Sequence, residues 1–181
     1  IEQKNMARDF LTISFTQETI KHFYPHQYED IFDGFIKMLV YDAFIGNNDR
    51  HYYNWAILKH LDDKHQPYFS PIYDTARALF WNRPEEYIRK VYNNRNQRED
   101  LILKYVKQSK PKIGLEKTIN TSHVDIIKVL CTKKFGHTKD IVLEHINKQN
   151  FENCVDLLNG ELKTLLTEER LSLITQCLTL R

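Results

Sequence analysis

From Tyr28 to Phe44, apolar residues return every three or four positions: Ile31, Phe32, Phe35, Ile36, Leu39, Val40, Ala43 and Phe44. That spacing predicts an α-helix, and so broad a stripe predicts a central, mostly buried one. Gly46 stands where its C-terminal cap is expected and turns the chain into Asn47-Asn48-Asp49. Upstream, Phe10 to Phe15 is a short apolar run that fits a strand or a late helix. Thr16 with Gln17 and Glu18 predicts a helix start with a capping hydroxyl and an acid in the first turn. Pro25 interrupts that helix. Downstream the pattern shortens to two strand-like runs, Trp55 to Leu58 and Gln66 to Phe69, with polar Asp62-Asp63-Lys64 as the turn between them. Pro71 ends the second run and holds Ser70 extended.

The rest of the chain is mainly helical. Thr75 to Phe80 opens a possible helix, broken by Trp81-Asn82-Arg83-Pro84, and Glu85 to Val91 predicts another. Asn93 to Arg98 is polar and turn-like, Leu101 to Val106 is a short periodic helix, and Ser109 to Gly114 is a basic loop. Ser122 with Asp125 resembles a capping box for a helix that turns Val124, Ile127, Leu130 and Cys131 inward and stops near Gly136. Asp140 to Ile146, Phe151 to Leu158 (stopped by Gly160) and Leu162 to Leu180 complete a series of short amphipathic helices. No repeat or linker divides the chain, so residues 1–181 are expected to form one domain.

Composition narrows the function classes. The 181 residues carry a net charge of +2, which makes no case for a nucleic-acid-coating surface. No apolar run approaches the length of a membrane span, and no leader pattern opens the chain. Cys131, Cys154 and Cys177 are widely spaced, with no metal-ligand pairing, which fits a reduced, cytoplasmic setting and a role as small core residues. The five glycines contain no G-x-G pair, so a phosphate-cradling glycine loop is absent from this sequence.

The residues that carry chemistry cluster after the central helix. Asp49 is followed five residues on by Asn54, and twenty residues later by Asp74, with the hairpin between them. Taken singly, each has an ordinary role: Asp49 bracing a loop, His51 hydrogen-bonded in it, Trp55 and Tyr73 as core aromatics, and Asp74 as a helix N-cap. Together they are the residue types of a phosphoryl-transfer site. Asp49 suits a proton acceptor for an attacking hydroxyl. Asn54 and Asp74 offer the oxygen ligands that magnesium prefers. Arg50 or His51 is placed to supply a cation or donor for phosphate oxygens.

Phe44 through Trp55 and then Pro71-Ile72-Tyr73-Asp74 resemble the C-terminal lobe of HipA-type serine/threonine kinases, the toxins of bacterial toxin–antitoxin modules and their relatives. Pro111-Lys112-Ile113-Gly114 followed by Ser122-His123 resembles a further segment of that family. The resemblance implies a mainly α, protein-kinase-like large lobe with a short β-hairpin, using ATP and magnesium to phosphorylate a protein substrate. It implies Asp49 as the catalytic residue, Asn54 and Asp74 as metal ligands, and His51, Asn54, Tyr73 and Asp74 as nucleotide contacts. It also implies an antitoxin or a small-lobe partner chain, because the glycine loop and strand lysine of the small lobe are absent here. The isolated chain is therefore expected to bind ATP weakly and to phosphorylate little. The order D-R-H-x-x-N also occurs in phosphoinositide-like lipid kinases, which stand as an alternative. A non-catalytic binding module on the same lobe is another.

Overall fold

The computed structural model describes residues 11–181 apart from positions 63, 117, 119 and 120. Phe10 and Asp63, both named in the patterns above, lie outside the described residues. The helices are α1 (Ile13–Phe23), α2 (Tyr28–Ile45), α3 (Glu85–Tyr92), α4 (Arg95–Gln108), α5 (His123–Leu130), α6 (Thr138–His145), α7 (Lys148–Asn159) and α8 (Glu168–Thr179). Two short strands, β1 (Ile57–Leu58) and β2 (Tyr68–Phe69), pair antiparallel with Ile57 opposite Phe69 and Leu58 opposite Tyr68. The architecture is mainly α with a β-hairpin.

The central helix α2 forms as its period dictates. Ile31, Phe32, Phe35, Ile36, Leu39, Val40 and Ala43 are all buried. It threads the main core, packing with residues of α1, α5, α6 and the hairpin. Its end reaches a second core of α3, α4, α7 and α8 through Phe44. Gly46 adopts φ +69° and donates its amide to Asp42 O, a backbone that side chains other than glycine's resist. Gly34 has a different reason to lack a side chain. A Cβ there would stand 2.5 Å from Phe69 Cβ, so this glycine seats the hairpin directly on α2. Trp55 packs against Phe35 and Phe69, with ring centroids 5.1 and 6.0 Å away. Ser70 ties the hairpin off, donating its amide to Ala56 O and accepting from Ala56 N.

Several boundaries differ from expectation, each for a visible reason. α1 begins at Ile13, because the Thr12 hydroxyl accepts from Phe15 N at 3.1 Å and caps it; Thr16 is buried inside the helix. No helix opens at Thr75 or follows Asp74. Asp74, Leu79 and Phe80 all have positive φ, and the Leu79 amide goes instead to Tyr105 Oη at 2.6 Å. α4 starts at Arg95 rather than Leu101, because Asn94 Oδ1 caps it through Gln97 N. In α5, Ser122 caps as expected, but the buried face is His123, Ile126 and Leu130, while Val124 is 41% exposed. Counting only apolar residues rotated that face by one position, since a neutral, buried histidine fills it. α5 ends at Leu130, well before Gly136. The last helix is split: a 3₁₀ turn (Lys163–Leu165) precedes α8, whose cap is Thr167. Of the three cysteines, all free, only Cys177 is fully buried. Among the described residues, no helix is long and apolar enough to cross a membrane.

Candidate active site

The loop from Gly46 to Asn54 is built from the end of α2 outward. Asn47 is fully buried. It gives Nδ2 to Asp42 Oδ1 at 2.9 Å and receives Asp49 N on Oδ1 at 3.1 Å. Asn48 gives its amide to Arg77 O at 3.0 Å and receives Lys110 N on Oδ1 at 3.0 Å. Asn54 closes the loop, donating Nδ2 to Asp49 O at 2.9 Å. Three asparagines and an aspartate thus replace the backbone pairing that an irregular loop lacks.

At the centre lies Arg50, with no exposed surface. It grips Asp42 in bidentate fashion, Nε to Oδ2 at 2.7 Å and Nη2 to Oδ1 at 2.9 Å. Its Nη1 donates to Asn54 O at 2.5 Å and Tyr73 O at 2.7 Å. One nitrogen therefore joins the two ends of the hairpin, and brings Asn54 beside the residue that precedes Asp74. This corrects one expectation: Arg50 has four of its bonds spent inside the protein and is not placed to meet a phosphate. Burial pushes the Asp42 carboxyl above its usual range, while the bonds from Arg50 and Asn47 pull against that rise.

Asp49 is 7% exposed, and a cation meets each carboxylate oxygen. Lys112 Nζ pairs with Oδ1, and Arg77 Nε with Oδ2 at 3.0 Å. Neither residue was singled out as a site residue from sequence. Lys112 was legible only as part of the basic loop and of the family-like Pro111-Lys112-Ile113-Gly114 segment, with no role attached, and Arg77 carried no signal. Lys112 reaches Asp49 because its loop is pinned along its length. The Lys110 amide sits on Asn48, and Gly114 exchanges backbone bonds with Leu11 and Ile13. His123 fixes the far side, its ring Nε2 at 2.8 Å from Asn47 O. Burial, helped by the Arg181 cation, pulls its pKa down to about 3, so the ring is neutral and donates to that carbonyl.

The remaining expected residues stand as follows. His51 is half-buried, and its Nδ1 accepts from Tyr53 N at 3.3 Å. Tyr73 is 42% exposed and donates its hydroxyl to Tyr53 O at 3.0 Å. Asp74 is exposed, with φ +52°, a conformation Asp tolerates better than most side chains. Among the described residues, no protein donor meets the Asp74 carboxylate or Asn54 Oδ1, whereas both oxygens of Asp49 are engaged. An amide oxygen and a carboxylate on adjoining backbone, neither claimed by the protein, fit the oxygen-ligand preference of magnesium. Asp49, held by two cations, is the less suited of the three to bind a further cation.

No protein-family model matches the chain, and no curated protein matches it. In fold it is similar to a solved structure of a Helicobacter pylori proinflammatory kinase, CtkA, with a TM-score of 0.69 and 17% identity. The match covers 94% of this chain and 59% of that one, so the chain spans about three-fifths of the length of the kinase it resembles. The likeness shows a kinase-like lobe.

Proposed function

We propose that residues 1–181 are the large lobe of a HipA-type serine/threonine kinase, moving the γ-phosphoryl group of Mg-ATP to a protein hydroxyl. In this reading the protein is a bacterial, cytoplasmic toxin of a toxin–antitoxin module, or a relative of one. The observation that carries the reading is the Arg50 guanidinium, whose shared bonds to the main-chain carbonyls of Asn54 and Tyr73 bring Asn54 next to the residue that precedes Asp74. Asn54 Oδ1 and the Asp74 carboxylate hold magnesium, which, when bound, neutralises charge on the phosphates. Asp49 orients the acceptor hydroxyl and takes its proton. Lys112 and Arg77 keep the Asp49 carboxylate aimed, and Lys112, partly exposed beside it, is placed to meet charge that develops on the transferred group. His51 and Tyr73 border the nucleotide. The phosphate-covering glycine loop belongs to a small lobe supplied from outside these 181 residues, on the same polypeptide or on a partner chain.

Nucleotide binding and phosphoryl transfer by the purified chain test this. Weak, magnesium-dependent ATP binding is expected, lost in Asp74→Asn and retained in Asp49→Asn. Undiminished binding by Asp74→Asn contradicts the metal assignment. Turnover by the isolated chain at an ordinary kinase rate, about 1–100 per second, contradicts the need for a small lobe.

A further inference from the structure

The tip of the β1–β2 hairpin gathers three side chains that the phosphoryl-transfer reading leaves unused. His60, Asp62 and His65 place one ligand atom each within 4.8 Å of one another, and they are the one such group of three His, Cys, Asp or Glu among the described residues. The two imidazoles face each other with ring centroids 4.4 Å apart and planes 33° from parallel. His60 also leans on Tyr68 of β2, at 5.9 Å. His65 Nδ1 lies 2.9 Å from Asp62 Oδ1.

We propose that this tip binds a divalent transition-metal ion, of the zinc, nickel or copper kind, through His60, Asp62 and His65. The ligand set decides the class. Two imidazoles with one carboxylate suit borderline ions and not magnesium or calcium, which take oxygen. Zinc–nitrogen bonds of about 2.0–2.1 Å put neighbouring donors about 3.3 Å apart. All three side chains are exposed, so rotamer changes alone close the remaining gap. Three protein ligands leave further positions to water.

The place gives the ion a consequence. A pair of two-residue strands is a weak element by itself, yet this hairpin links Asn54 to Asp74. His60 follows the end of β1, and His65 precedes β2. An ion shared by them staples the hairpin where it is open, opposite the end that Arg50 joins.

Zinc titration of the chelator-stripped chain tests this without reference to phosphoryl transfer. Calorimetry counts the ions bound, and the histidine ring signals in NMR locate them. One zinc per chain is expected, moving the His60 and His65 resonances and leaving the other histidines still, and persisting in a large excess of magnesium. His60→Ala and His65→Ala each weaken binding about tenfold or more. Because both positions are exposed, these variants stay folded, which circular dichroism verifies. No saturable binding up to about 1 mM zinc, or equal affinity in the double variant, overturns the proposal.

Discussion

Replacing Arg50 with methionine removes the guanidinium and keeps much of the buried stem volume. Four hydrogen bonds go, two of them to Asp42, whose carboxylate keeps only Asn47 Nδ2. Both partners have no exposed surface, so screening by water does not soften the loss. Stranding one member of such a pair costs about 3–5 kcal/mol, set against a typical total of about 5–15 kcal/mol. Urea unfolding followed by circular dichroism measures the difference. The deficit should shrink in acid. Burial already pushes the Asp42 carboxyl up, and loss of Arg50 removes its largest counterweight; a raised folded-state pKa is a penalty above the unfolded value that protonation relieves. Arg50→Met with Asp42→Leu should be less destabilised than the two single changes added together. It should not recover the slow amide hydrogen exchange expected around residues 70–74, because the Asn54 and Tyr73 carbonyls still lack their tie. A deficit in Arg50→Met below about 1 kcal/mol, or unchanged exchange there, refutes the claim that this side chain holds the hairpin ends together.

Other perturbations probe separate parts of the account. His123 is neutral when folded, with its pKa near 3 against an ordinary 6.5. The unfolded chain therefore binds the extra proton as pH falls below 6.5, and stability should drop by up to about 1.4 kcal/mol per pH unit; His123→Gln should flatten that slope in urea midpoints. Gly46→Ala places a Cβ 2.7 Å from Tyr105 Cε1 at φ +69° and should lower stability by about 1–3 kcal/mol, read from thermal unfolding. Once a small lobe is supplied, Asp49→Asn should cut phosphoryl transfer by about 10²–10⁴-fold with little change in melting temperature. Lys112→Met should lower turnover while sparing ATP binding.

How much of this was legible beforehand follows from the range of each interaction. α2 and its glycine cap were readable because periodicity and φ preference are local. The hairpin was readable because its strands are close in sequence and bounded by Pro71 and a polar turn. The α1 boundary slipped because Thr16 competed with Thr12 for the cap, and the α4 boundary slipped because the polar run from Asn93 to Arg98 reads as a turn although Asn94 caps a helix there. The face of α5 slipped because His123 is apolar in function only when buried and neutral. Asp49, Asn54 and Asp74 could be named from order and spacing, but what holds them could not. Arg50 turned inward because Asp42, eight residues earlier on a buried helix face, leaves it no solvated alternative. Lys112 comes to Asp49 across 63 residues, carried by a loop whose path depends on the docking of Gly114 beside α1.

The central claim is that Asn54 and Asp74 share one oxygen-ligated ion next to Asp49. Manganese, added with ADP to the chain labelled for NMR, reports on this through paramagnetic broadening, which falls steeply with distance. The account predicts that the Asn54 side-chain amide and the backbone amides of Asp49 and Asp74 broaden first, and that Asp74→Asn abolishes the effect. Broadening centred elsewhere, or unaltered by that substitution, contradicts it.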